Sequence, residues 1–146
     1  MGKCAYRYAR ISEIEERWIN KNIKGEGRKN LLNVILNRLG ERACCRFDAI
    51  EGGEFCIFHD PDYWKSHEGE VRDEFLRLLR GGERYFVGFH LPLVEFPERV
   101  DGELHMEFVK FHKGLVARRT IFMDVDFTGA EFGRADFTGA RFNRAK

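Results

Sequence analysis

The chain has 146 residues, of which 43% are apolar and 34% charged, with 25 lysines and arginines set against 24 aspartates and glutamates. That length and apolar share suit one compact domain or two small ones, and the near-cancelled charge excludes a global field that would draw in nucleic acid or an anionic membrane. No apolar run opens the chain as a signal peptide and none approaches the ~20 residues of a membrane span, so no membrane association and a cytoplasmic protein are expected. In that compartment four cysteines indicate a metal or buried thiols rather than disulfides. The absence of glutamine, beside abundant Arg and Glu, leans towards a thermophile.

The first nine residues, around Cys4, Tyr6 and Tyr8, show no period. Ser12 and Glu15 then form a capping-box pattern, which predicts a short helix to about Asn20 with Ile14 and Trp18 facing inward. Gly25 and Gly27 interrupt it. Leu32, Ile35, Leu36 and Leu39 recur at helical spacing and predict a second helix over 28–39, stopped by Gly40. From 41 to 64 the texture changes to cysteines, aromatics and a tight Glu51-Gly52-Gly53 turn, which suits a small β-turn module. Asp60-Pro61 marks a helical start. A third helix is predicted over 70–80, with Val71, Phe75, Leu78 and Leu79 inward and Gly81-Gly82 as its stop.

Beyond Gly82 the helical period disappears into the strand-like run Tyr85, Phe86, Val87, Phe89, Leu91, Leu93, Val94 and Phe96. Phe86, Leu91 and Phe96 are five apart, and Met106, Phe111 and Val116 continue the phase, with Leu104 and Val109 two places before the first two. Val100-Asp101-Gly102 reads as a loop excursion, and the phase slips by one near Arg118. From 120 to 146 the period is strict: Phe122, Phe127, Phe132, Phe137 and Phe142, preceded at two places by Thr120, Val125, Ala130, Ala135 and Ala140. A step of five turns each ring by about 140° on a helix and flips it to the other face on a strand. One shared interior for all five rings therefore needs a chain that bends once per repeat, a solenoid. For residues 86–119 an ordinary antiparallel sheet packed on the helices is the alternative.

Ala130-Glu131-Phe132, Ala135-Asp136-Phe137 and Ala140-Arg141-Phe142 resemble the Ala-x-Phe variety of the pentapeptide-repeat family. The resemblance implies a right-handed quadrilateral parallel β-helix, four pentapeptides to the coil, with the aromatic and the small residue pointing in. The expected fold class is thus α+β, in three regions: a helical, zinc-knuckle-like cap over 1–82, degenerate coils over 83–119 and regular repeats over 120–146. Some members of that family mimic DNA through a strongly acidic surface. Here Asp124, Asp126, Glu131 and Asp136 are balanced by Arg134, Arg141, Arg144 and Lys146, which disfavours that role.

Cys45, Cys56 and His59 stand as Cys, ten residues, Cys, two residues, His. The close pair can place a thiolate and an imidazole on one small cation, and the glycine turn between the cysteines lets the chain fold back. Structural zinc is normally closed by four protein ligands, and Cys4 is the expected fourth; Cys44 competes with Cys45, since adjacent side chains on an extended segment face opposite ways. The segment resembles zinc knuckles ending in Cys-x-x-His, such as the plant WRC-type motif, but with about forty residues between its first two ligands. A structural Zn2+ on Cys4, Cys45, Cys56 and His59 is expected, with no open position for catalysis. Glu54 and Asp60 are the nearest acidic groups, and no phosphate loop, nucleophile elbow or catalytic carboxylate pair is present.

The leading expectation is a non-enzymatic scaffold whose partner is a protein, or a second copy through the C-terminal coil. The alternative is a nucleic-acid binder using the zinc module, the basic Arg7, Arg10, Lys21, Lys24, Arg28 and Lys29, and base stacking on Tyr63-Trp64. Acidic Glu13, Glu15, Glu16 and Glu26 interleave with those basic residues, as on a solvated helix face.

Overall fold

Strand pairing between distant segments organises the first of two compact units, Met1–Cys56. In the computed structural model, which describes residues 2–6, 45 and 47–146, Lys3 and Asp48 form an antiparallel bridge. Cys4 N–H donates to the Phe47 carbonyl at 2.8 Å and Cys45 N–H to the Tyr6 carbonyl at 3.1 Å. The chain then turns through 50–55, where Gly53 N–H donates to the Ile50 carbonyl at 2.8 Å and Gly52 adopts a φ of 77° that glycine tolerates without strain. Ala5 N–H closes the module on the Glu54 carbonyl at 2.8 Å. This is the predicted β-turn module. The helices predicted over 12–20 and 28–39 lie outside the described residues, as does Cys44.

The second unit, Ile57–Lys146, opens with two helices. The Asp60 carboxylate accepts from the amides of Asp62 and Tyr63, each at 2.9 Å, and so starts α1, Tyr63–Ser66. Helix α2, Glu68–Arg80, buries Val71, Phe75 and Leu79; Leu78 is only half-buried. Its end is a Schellman motif: Glu83 N–H reaches the Leu78 carbonyl and Gly82 N–H the Leu79 carbonyl, with Gly82 at a φ of 99°. Phe75 packs edge-on against Phe86 at 4.8 Å and Phe96 at 6.0 Å, so α2 caps the first turn of the strand-rich region.

That region, from Tyr85 to the C-terminus, is a solenoid. Nine short strands pair in parallel only: β1 His90–Leu91, β2 Val94–Glu95, β3 Arg99–His105, β4 Lys110–Phe111, β5 Leu115–Val116, β6 Ile121–Asp126, β7 Glu131–Phe132, β8 Ala135–Asp136 and β9 Arg141–Phe142. Their sheets run β1-β4-β7, β2-β5-β8 and β3-β6-β9. The parallel pairs Tyr85↔His105 and Val125↔Ala145 add a fourth paired position per turn. Paired residues are separated by 20 in His90↔Lys110, 21 in Lys110↔Glu131 and 22 in Arg99↔Ile121. An antiparallel sheet over 86–119 is therefore excluded, and the coils begin in the degenerate stretch. The expected excursion at Val100-Asp101-Gly102 is smaller than a loop, a register shift between Val100 and Glu103 inside β3.

Turn chemistry makes the corners. Ala130 N–H donates to the Phe127 carbonyl at 2.8 Å and Ala140 N–H to the Phe137 carbonyl at 2.9 Å, around Gly129 and Gly139 at φ near 70°. These are type II turns, which require positive φ at their third residue. One coil earlier the same positions hold Phe108 and Arg119, both at a φ of 60°. The Phe108 ring lies over Gly129, where a Cβ would stand 2.3 Å from two ring carbons.

The preceding aspartates brace two of these turns: Asp136 accepts from Thr138 N–H at 3.0 Å and from its hydroxyl at 2.6 Å, as Asp126 does from Thr128. The Thr138 hydroxyl, then the Arg118 guanidinium, hold the Asp136 carboxyl down at about 2. Because the folded carboxyl titrates below its ordinary value of 3.8, its stabilisation is present above about pH 4 and lost as pH falls through about 2. An NMR titration of Asp136 should show that low midpoint, and Thr138→Val should move it up towards the ordinary value.

Phe86, Leu91, Phe96, Leu104, Met106, Val109, Phe111, Phe122 and Val125 form the interior. Val116 does not join it: Ala117 is buried and Val116 only half-buried, so the slip in phase falls between Phe111 and Ala117 rather than near Arg118. In the strict repeats burial fades along the chain. Phe122 is 0% exposed, Phe127 and Phe137 are half-buried, and Phe132 and Phe142 are 36% and 40% exposed. Phe132 stacks beneath Phe111 at 5.3 Å and Phe142 beneath Phe122 at 5.1 Å, so both keep to the ladder but are covered on one side. No helix among the described residues is long and apolar enough to cross a membrane.

Candidate metal centre

Antiparallel pairing around Lys3 and Asp48 brings Cys4 and Cys45 together, and the 50–55 turn returns the chain to deliver Cys56. His59 comes one short turn after Cys56. The three sulfurs and one imidazole nitrogen all lie within 4.8 Å of one another, close enough to hold one metal ion. The Cys45 and Cys56 sulfurs are 3.9 Å apart. Cys4, Cys56 and His59 are buried and Cys45 is partly exposed.

The imidazole is oriented from behind. His59 Nε2 stands 2.8 Å from the Val87 carbonyl, which can only accept, so Nε2 carries the proton and Nδ1 the lone pair. Metal-ligating histidines commonly have this backing, because it fixes tautomer and ring direction. Phe89 packs edge-on against the imidazole at 5.1 Å and stacks on Phe58 at 4.3 Å, walling that side with apolar rings.

Crowding the sulfurs opposes their ionisation. The hydrogen bond with Cys4 is the largest cause that pushes the Cys45 thiol up to about 12. Cys56 is raised as well, first by Cys4 and then by Cys45 and by burial. A divalent cation would reverse that preference, since a coordinating thiol is deprotonated outright.

Cys45, Cys56 and His59, singled out from spacing, and Cys4, expected as the fourth ligand, are thus brought together. Asp60 is occupied in opening α1, and the Glu54 side chain is exposed. The basic residues Arg7, Arg10, Lys21, Lys24, Arg28 and Lys29 lie outside the described residues. Of the aromatics proposed for base stacking, Trp64 is buried and stacks on His112 at 4.4 Å, and Tyr63 is half-buried and has one face on His67 at 3.9 Å.

Of the remaining histidines, His90 and His105 are held in packed pairs. His90 Nδ1 is 2.9 Å from His112 Nε2, and burial, then the charge of Lys110, lowers His90 to about 3. His105 is buried with Nδ1 3.1 Å from the buried Glu107 carboxylate and with Tyr85 stacked at 4.6 Å. This buried polar pair had no signal in the sequence, because its partners are set by coil packing.

No curated protein and no solved structure matches the chain. The paired coils, the positive-φ corners and the inward rings converge with one comparison: residues 117–146 match the family model described as Pentapeptide repeats (8 copies), a similarity that carries the β-helix-like solenoid.

Proposed function

We propose that this chain is a non-enzymatic scaffold of the cytoplasm. A structural zinc ion on Cys4, Cys45, Cys56 and His59 fastens its first unit, and a right-handed quadrilateral β-helix presents a rigid surface to a protein partner. The observation that carries the reading is the closed donor set, four ligand atoms within 4.8 Å. Three sulfurs and one nitrogen suit a borderline-soft ion. The 3.9 Å sulfur separation is close to the ~3.8 Å edge of a tetrahedron with Zn–S near 2.3 Å. Four protein ligands leave no position at which water or substrate could be activated, which supports a staple and opposes catalysis. Thiols within reach but not joined suit a reducing compartment.

The partner surface is the coil of 126–146, and its first occupant is a second copy. Phe111 and Phe122 are fully covered because another ringed coil lies over them; Phe132 and Phe142 lack such a cover. A coil with matching ring spacing supplies it, and this chain carries one. The exposed charges Glu131, Arg134, Arg141 and Arg144 sum to +2, a repulsion between like faces that the covering of the rings has to offset. Sedimentation over a concentration series should show a dimer at tens of micromolar that the Phe132→Ser, Phe142→Ser double variant loses. A strict monomer at those concentrations rejects self-association. A salt-sensitive complex with single-stranded RNA in its place favours the nucleic-acid alternative.

A further inference from the structure

The three thiols differ in access. Cys4 and Cys56 are 3% and 1% exposed, whereas Cys45 is partly open to solvent. A small oxidant reaches Cys45 first. Its sulfur is already 3.9 Å from that of Cys56, and a disulfide needs about 2.05 Å. Cys4 also hydrogen-bonds Cys45, but its backbone is held in the ladder, where its N–H donates to the Phe47 carbonyl at 2.8 Å, whereas Cys56 stands past the Gly52-Gly53 turn.

We infer that Cys45 and Cys56 are a peroxide-responsive pair: Cys45 is the oxidised residue, Cys56 the resolving one, and their disulfide dismantles the metal centre. In the first step the Cys45 sulfur attacks one peroxide oxygen, the O–O bond breaks, and Cys45 becomes a sulfenic acid with release of one water. In the second the Cys56 sulfur attacks the sulfenic sulfur, the S–O bond breaks, and a second water leaves. Two thiols are oxidised by two electrons and one hydrogen peroxide is reduced to two waters. Where both sulfurs start as thiolates, solvent supplies two protons. Cys4 and His59 are left as two ligands, too few to hold the ion. The loss of metal rests on the zinc reading; the pairing itself does not.

The test uses the full chain, with zinc content measured before any oxidant is added, which judges the zinc reading separately. After about ten equivalents of hydrogen peroxide, non-reducing peptide mapping should find Cys45 bridged to Cys56 in most chains, whether or not zinc was present. Zinc present at the start should be released in step with the bridge. A phosphine reductant should restore the thiols. In Cys56→Ser, dimedone should trap Cys45 as the sulfenic acid, and in Cys45→Ser the oxidation of Cys56 should slow at least about tenfold. A bridge that includes Cys4 or Cys44, irreversible sulfinic acid at Cys45 without a bridge, unreactive thiols, or unchanged Cys56 oxidation in Cys45→Ser each overturn the inference.

Discussion

Protein purified without added zinc is expected to carry one zinc per chain, and Cys56→Ala or His59→Ala is expected to lose nearly all of it. Each variant removes one of four donors and leaves three, where structural zinc is normally closed by four protein ligands. Structural zinc sites contribute on the order of 10 kcal/mol of apparent binding free energy to folding. Among its described residues the first unit is held by one antiparallel bridge, a turn and the exposed Lys3–Asp48 ion pair, a type worth about 1 kcal/mol or less. A strong chelator should therefore melt that unit first, read as loss of amide protection for Cys4, Cys45 and Ala49 while the coil amides keep theirs. Cys44→Ala should retain the metal and Cys45→Ala should not. Unchanged zinc content and unchanged melting in both the Cys56 and His59 variants would remove the staple altogether.

The second large effect belongs to the solenoid. Phe122→Ala is expected to cost about 3–5 kcal/mol, whereas Phe142→Ala, at the same place one coil later, should cost roughly 1 kcal/mol. Phe122 is wholly covered, touching Phe96 at 5.5 Å, Phe127 at 6.1 Å and Phe142 at 5.1 Å. Those neighbours are fixed by the ladders of the same coil and of the coils on either side, so the walls cannot collapse into the hole. Phe142 is 40% exposed and leaves an open notch that water fills. Thermal melts should differ by on the order of 10 °C between the two variants. Equal losses at the two positions would contradict the graded burial.

The five-residue step is what made the solenoid legible, because no helix or flat strand satisfies it, and the early coils announced themselves through Phe86, Leu91 and Phe96. Covering was not legible. A repeat says where a ring points but not whether a further coil lies over it, and Phe132 and Phe142 show the difference. The slip in phase was misplaced because valine is the more apolar choice at 116, while the chain places the smaller Ala117 inside. Cys4 was reached only by counting ligands; the pairing that brings it to Cys45 depends on hydrogen bonds between segments some forty residues apart. Nor did anything local mark Phe108 and Arg119 for positive φ, a conformation their neighbours along the column leave to glycine.

The uneven pitch of the coils bears on how such a protein can grow. After Leu115 the step settles at twenty, as in Leu115↔Ala135 and Ile121↔Arg141. A twenty-residue block copied in tandem from that region would keep every ring in line. A block copied from Arg99 onward would bring its longer step and its kink at Val100/Glu103 with it, rotating all later side chains out of alignment. Elongation by duplication is thus open wherever the step is twenty, as it is also in His90↔Lys110, and obstructed across the kink in β3.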